Sequence, residues 1–210
     1  MKISVSILNL DFRKLEQEIK RIESGCPDSF HMDIMDGHLV DNISFGPDIV
    51  KTVDRITNLP LQSHLMITNP EKFTDKFFEV GSASVTVHAE VIDNKNKNIF
   101  KKDNMGISLD PDYKVEKIFP HLADVKRVLV MSVYAGFGGQ IFIEKSIDRI
   151  LKISEERRRQ NLDFQISVDG GINLDTARAC KSAGADEVAV GSYITRSKNP
   201  VDRIKAIKKL

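Results

Sequence analysis

The sequence predicts an α/β protein, one (β/α)8 TIM barrel occupying residues 1–210 as a single domain, and three observations carry that reading. Short apolar runs of strand length alternate with longer stretches of helical period. Polar residues that could do chemistry interrupt those runs near their C-terminal ends, the end at which barrels place their chemistry. No G-x-G-x-x-G follows the first run and no G-x-x-x-x-G-K-[ST] occurs anywhere, which tells against an open, doubly wound nucleotide-binding sheet.

In chain order, strands are expected at Ile3–Leu8, Ser29–Ile34, Leu61–Met66, Ser84–His88, Met105–Leu109, Arg127–Ser132, Phe164–Asp169 and Glu187–Gly191. Each is short and mostly apolar or β-branched, as strands covered on both faces should be. Helical segments are expected at Phe12–Ser24, Asp48–Ile56, Glu71–Val80, Val115–Leu122, Ile143–Gln160 and Leu174–Ala183. Pro70 and Pro200 suit a first helical turn, and Gly25, Gly81 and Gly184 suit helix C-caps. The fourth crossover, Asp93 to Lys102, is polar and poor in helix formers, so a short or irregular connection is expected there. Strand followed by crossover, repeated eight times, gives parallel pairing.

Composition excludes several classes of function. The 31 basic and 30 acidic residues leave a net charge of +1 and are spread along the chain, so neither nucleic acid nor an anionic membrane is an expected partner. No segment approaches the roughly 20 apolar residues of a membrane span, and the N-terminal apolar run is too short for a signal peptide. The two cysteines, Cys26 and Cys180, have no motif spacing, so a reducing, cytoplasmic setting without a disulfide framework is expected.

His31 and Asp33 lie two apart on the second strand and share a face. His64 sits near the end of the third strand and Asp169 closes the seventh. A lone His or Asp at a strand end is more often a satisfied hydrogen-bonding group than a ligand. Two imidazoles and two carboxylates at matching heights favour a four-ligand divalent metal site. Gly136-Phe137-Gly138-Gly139 follows the sixth strand, Gly170-Gly171 follows Asp169, and Gly191-Ser192 follows the eighth. Any one glycine pair is adequately explained as a tight turn, but three such loops on one rim favour an anion seat built from backbone N–H groups. Met35, Met66 and Met131 read as packing; His88, at the end of the fourth strand, could support a metal ligand or face the substrate, with a satisfied structural histidine favoured; and His38 and His121 carry no assigned role. Asp36-Gly37 reads as a turn in which Asp36 orients His31 or neighbouring backbone.

Together, Ser6-Ile-Leu, His31-Met-Asp33-Ile-Met-Asp36-Gly-His38, His64-Leu-Met66, Gly136-Phe-Gly-Gly-Gln140, Val168-Asp-Gly-Gly-Ile172 and Gly191-Ser192 resemble the ribulose-phosphate 3-epimerase family, in order and over essentially the whole chain. The resemblance implies His31, Asp33, His64 and Asp169 as metal ligands, with Asp33 and Asp169 also the catalytic acid/base pair. It implies Ser6 and His64 as sugar contacts, and Gly136, Phe137, Gly138, Gly139, Gly170, Gly171, Gly191 and Ser192 around the phosphate. The three methionines would pack around the reacting carbons, and a homo-oligomer is implied. The sequence departs from the family pattern at Asp41, where Pro is common, at Tyr134-Ala135, and in a shortened Val91–Asn104 region; every implied ligand is retained.

The expected activity is interconversion of ribulose 5-phosphate and xylulose 5-phosphate, a small phosphorylated sugar being the partner. One divalent ion (Zn, Fe(II), Mn or Co) would stabilise the enediolate while two carboxylates alternate as base and acid. No organic cofactor is called for, since no hydride or electron moves. An epimerase for a hexulose 6-phosphate such as allulose 6-phosphate is the nearest alternative, and a non-catalytic sugar-phosphate binder a more distant one. A decarboxylase of the Asp-x-Lys-x-x-Asp kind would need Lys where Met35 stands, and a Schiff-base aldolase would want an inward Lys that the sixth strand lacks.

Overall fold

A computed structural model of the chain describes residues 1–93 and 95–210. Eight strands form a closed parallel barrel in sequence order: β1 Lys2–Ser6, β2 Ser29–Met35, β3 Leu61–Met66, β4 Ser82–His88, β5 Met105–Leu109, β6 Arg127–Met131, β7 Gln165–Asp169 and β8 Glu187–Val190. Every expected strand is present within one or two residues at each end. Val85, Val87, Ile107, Val128, Val130, Ile166, Val168 and Val188 are buried at 0% exposure, which is why these runs lack the polar alternation of a one-sided sheet.

The helices are α1 Leu15–Glu23, α2 Pro47–Ile56, α3 Thr74–Glu79, α4 Ser146–Arg159, α5 Leu174–Ser182, α6 Ser192–Thr195 and α7 Pro200–Lys208. Leu15, Ile19 and Ile22 of α1 recur at helical spacing and form its buried stripe, as Ile150 and Ile153 do on α4 and Ile204 and Ile207 on α7. Pro47 and Pro200 open their helices at the position where a missing N–H costs nothing. Asn173 caps α5 reciprocally with Thr176.

Two local expectations need correction, one holds, and one element is unforeseen. Val115–His121 is a 3-10 segment and not an α-helix, because Pro120 lies inside it and cannot continue an α-helical ladder. The polar fourth crossover is indeed irregular, with 3-10 turns at Ala89–Val91 and Lys97–Lys101; Asn94, inside that stretch, lies outside the described residues. Gly81 and Gly184 take positive φ after α3 and α5 as expected, but after α1 that conformation falls on Cys26 (φ 56°). Gly25 serves packing instead: a Cβ there would come within 2.6 Å of Ile204 Cδ1 on α7. Finally, α6 follows β8 directly, a four-residue helix with no advance signal in the sequence.

At the N-terminal end of the barrel a buried polar network replaces the usual aliphatic layer. Arg127 on β6 pairs with Glu187 on β8 and also donates to Ser167 Oγ at 2.6 Å, while Gln62 Nε2 donates to the other Glu187 oxygen at 3.1 Å. Among the described residues no helix is long and apolar enough to cross a membrane. Both cysteines are free, Cys26 exposed and Cys180 buried.

Candidate active site

Strand register assembles the site before any loop contributes. In the parallel ladders Ser6 of β1 pairs with His31 of β2, and Asp33 of β2 pairs with His64 of β3. Across the barrel Met131 of β6 pairs with Asp169 of β7. Period-two alternation then turns His31, Asp33 and Met35 to one face, and likewise His64 and Met66.

The four residues expected as ligands converge: His31, Asp33, His64 and Asp169 each offer one atom, and these atoms lie within 4.8 Å of one another. His31 Nε2 is 3.3 Å from Asp33 Oδ1 and 3.5 Å from Asp169 Oδ2; His64 Nδ1 is 3.7 Å and 3.8 Å from the same two oxygens. Both ring nitrogens are buried and, among the described residues, neither makes a hydrogen bond, so each points between the carboxylates rather than at one of them. A buried polar atom without a partner is costly and rare. Ligands about 2.0–2.1 Å from a tetrahedral ion stand about 3.3–3.4 Å apart, so the observed spacings are those of a slightly open cage. The cluster is compatible with a divalent metal ion.

Without the ion, charge balance falls on His31. Burial lowers its pKa, but the charges of Asp33 and Asp169 outweigh burial and raise it to about 10. Burial raises the Asp33 pKa, yet His31 and His64 beside it hold that carboxyl well below the usual range. Burial, reinforced by His88 and His31, pushes His64 down to about 4 against the pull of Asp33. At neutral pH the cluster therefore holds an imidazolium between its two carboxylates.

Above the cluster lies a cavity of about 560 Å³ open to solvent, lined by Ser6, Asp33, Asp169, Gly136, Phe137, Gly138, Gly139, Gly170, Gly171, Gly191 and Ser192. Every residue expected to contact substrate thus borders one space, except His64, which lies buried beneath it. Met35, Met66 and Met131 are buried and also line the cavity floor, so packing and site are the same surface. Gly171 could not carry a side chain: its φ is 63° and a Cβ would lie 2.4 Å from the Phe142 backbone nitrogen.

Loop contacts close the rim. Asn42 Nδ2 donates to the Gly136 carbonyl at 2.6 Å, joining the loops after β2 and β6. Gln140 Nε2 donates to the carbonyls of Tyr134 and Phe137 at 2.7 and 2.8 Å, and Tyr134 Oη donates to Asp112 Oδ2 at 3.0 Å. Asp36 does not reach His31; it accepts from the backbone N–H groups of His38, Leu39 and Thr68 and ties the loops after β2 and β3. His38 is exposed against Asp36, and His121 packs on Phe100, both away from the cluster.

Two features escaped sequence reading. The Asn9 carboxamide lines the cavity beside Gly138 and Gly191, where a Cβ on Gly138 would come within 2.4 Å of Asn9 Nδ2. His88 is satisfied, as expected, but one of its partners is His64 itself, at 2.9 Å between the two Nε2 atoms. The first would have needed the β1 loop placed against the β6 loop, and the second the register of β3 on β4; neither is written in residue spacing.

Comparison with known proteins agrees with this geometry. Residues 2–195 match the model of the ribulose-phosphate 3 epimerase family. The ribulose-phosphate 3-epimerase of Bacillus subtilis is 38% identical over 100% of this chain and 98% of its own length. That of Methanocaldococcus jannaschii is 39% identical over 92% and 84%. Among solved structures, a 3-hexulose-6-phosphate synthase superposes with a TM-score of 0.73 at 17% identity, over 100% of this chain and 99% of the other, a likeness of fold alone.

Proposed function

This chain belongs to the ribulose-phosphate 3-epimerase family and is an isomerase; from that premise we propose that Asp33 and Asp169 are its acid/base pair and that His31, Asp33, His64 and Asp169 hold one divalent ion. The observation that carries the proposal is the pair of unpartnered buried nitrogens facing two carboxylates from strands three places apart around the ring. The substrate inverted at C3 is ribulose 5-phosphate.

Held by these four residues, a divalent ion would supply Lewis-acid stabilisation of the negative charge that develops on the sugar. Zn, Fe(II), Mn and Co all suit a two-imidazole, two-carboxylate donor set. Asp33 and Asp169 approach the sugar from different strands, so one takes the C3 proton while the other returns one to the opposite face. Ser6 donates to Asp33 Oδ2 at 2.6 Å and thereby fixes which oxygen faces the histidines. The three methionines give the reacting carbons an apolar bed that excludes water. Backbone N–H groups of Gly138, Gly171 and Ser192 seat the phosphate on the loops after β6, β7 and β8. Phe137 and its neighbouring glycines form the outer wall. The protein works as a cytoplasmic homo-oligomer and without an organic cofactor, and residues 1–210 act as one catalytic unit.

The deciding experiment assays the metal-loaded protein on ribulose 5-phosphate and allulose 6-phosphate side by side. A higher kcat/KM on the pentulose is expected; a higher value on the hexulose moves the substrate assignment, and inactivity on both overturns the proposal.

A further inference from the structure

Beneath the cluster, His64 is one end of a row of hydrogen-bonding groups that leads away from the cavity. Its Nδ1 faces Asp33 and Asp169, and its Nε2 lies 2.9 Å from His88 Nε2. The two ring planes are 11° apart with centroids 4.9 Å apart. A nitrogen separation of 2.9 Å is too short for face-to-face stacking, so the rings meet edge to edge in nearly one plane, with a single proton between them. On its other side His88 Nδ1 lies 3.3 Å from Glu90 Oε2, with Asp110 Oδ1 4.0 Å away. Glu90 is fixed in turn: its Oε1 accepts from the Asp110 backbone N–H at 2.9 Å. The Asp110 carbonyl accepts from buried Arg149 at 2.5 Å.

We propose that Glu90 and His88 are positioning residues that set the tautomer of His64, directing its Nδ1 lone pair into the metal cluster. This rests on the metal reading given above. The proton bookkeeping permits two arrangements. In the first, the Glu90 carboxylate accepts from His88 Nδ1–H, His88 Nε2 accepts from His64 Nε2–H, and His64 Nδ1 is left with a lone pair. In the second, every proton moves to the other nitrogen: a lone pair on His88 Nδ1 faces a carboxylate, and His64 Nδ1–H blocks the ligand position. A carboxylate only accepts, and of the two ends only His88 Nδ1 is within hydrogen-bonding distance of one, at 3.3 Å from Glu90 against 3.7 and 3.8 Å between His64 Nδ1 and Asp33 and Asp169, so the first arrangement prevails. An ordered outer partner of this kind fixes ring orientation and raises ligand basicity.

Because the Asp110 N–H requires an acceptor at the Oε1 position, Glu90→Gln must present its NH2 to His88 Nδ1. The isosteric substitution therefore reverses the row, whereas Glu90→Ala only releases it. The test uses metal-free protein with 15N-labelled histidine, read by two-bond 1H–15N correlation, together with Zn affinity by chelator competition and Zn stoichiometry. In the wild type, His64 is expected to carry its proton on Nε2; in Glu90→Gln it moves to Nδ1. Zn affinity falls about 10- to 100-fold in Glu90→Gln and less in Glu90→Ala. An unchanged His64 tautomer in Glu90→Gln, or a greater affinity loss in Glu90→Ala, overturns the proposal. So does a second Zn per wild-type chain that both variants lose, which would make His88, Glu90 and Asp110 ligands themselves. If the wild type binds no Zn, the metal reading fails, while the tautomer measurement still decides the orientation of the row.

Discussion

The Ser6 hydroxyl donates to Asp33 Oδ2 at 2.6 Å, which leaves Oδ1 as the oxygen nearest His31 Nε2 and His64 Nδ1. One carboxylate thus does two things through two different atoms: it is steadied from β1 and it faces the cluster. Among the described residues no side chain gives Asp169 such support, and its backbone carbonyl accepts from the Ser132 hydroxyl.

This asymmetry sharpens the test of the acid/base pair. Asp33→Asn and Asp169→Asn are each expected to lower kcat by at least the 10²–10⁴-fold typical of a lost general acid or base. Since each proposed role is tied to one face, at least one variant should still exchange the C3 proton of one epimer with deuterated solvent. Metal content is measured first, because both residues are proposed ligands. A metal-replete variant with near-normal epimerisation would end the two-carboxylate scheme.

Metal uptake should release a proton near neutral pH. His31 is raised to about 10 in the metal-free cluster, so it is protonated at pH 7–9 and must lose that proton to bind an ion. Apparent affinity should therefore rise with pH, about tenfold per unit, until pH approaches 10. Calorimetry in buffers of different ionisation enthalpy reads the proton count directly, and a pH-independent affinity would count against His31 as ligand. His31→Ala and His64→Ala should each lose bound metal on dialysis.

Inorganic phosphate is the probe for the anion seat. Titrated into 15N-labelled protein, it is expected to shift the amide resonances of Gly138, Gly171 and Ser192 more than those elsewhere. Shifts confined to other residues would remove the seat from these loops.

Gly171 has a second, purely structural duty that a mutational test must respect. Its φ of 63° and the Phe142 nitrogen 2.4 Å from an added Cβ make Gly171→Ala strained and crowded together. The combined cost is about 2–5 kcal/mol, a fall in Tm of roughly 5–15 °C. Gly139→Ala, also at positive φ but with no atom within 4 Å, should lose less than half as much. Equal losses in thermal denaturation would refute this account of the β7 loop.

The barrel floor should govern stability without touching turnover. Glu187→Leu leaves Arg127 buried without its partner and is expected to cost about 3–5 kcal/mol. The double change Arg127→Met with Glu187→Leu should cost less than the two single changes summed. Denaturant titration measures both, and kcat/KM at 25 °C should stay at the wild-type value, since the floor lies at the opposite end of the barrel.

Eight strands and the four-residue cluster were legible because each depends on local pattern: β-branched runs for the strands, a two-residue step for His31 and Asp33. What stayed hidden depends on which strand lies beside which. His88 reads as a lone histidine until β4 is set against β3, and Arg127 and Glu187 are 60 residues apart until β6, β7 and β8 are in register. The loss of the α-helix at Val115–His121 could have been anticipated from Pro120, whereas Cys26 taking the left-handed turn beside Gly25 could not, because it is the packing of Ile204 that claims the glycine.

The four cluster residues all sit on β2, β3 and β7, while the cavity's outer wall is made of loops joined by contacts such as Asn42 to Gly136. Strand positions are tied to their neighbours by the ladder, and loop positions are not. Substitutions at Tyr134 and Ala135, which line the wall, therefore alter the cavity without moving the four strand positions. The shape of the entrance and the spacing of the buried cluster are thus two independently adjustable properties of one barrel.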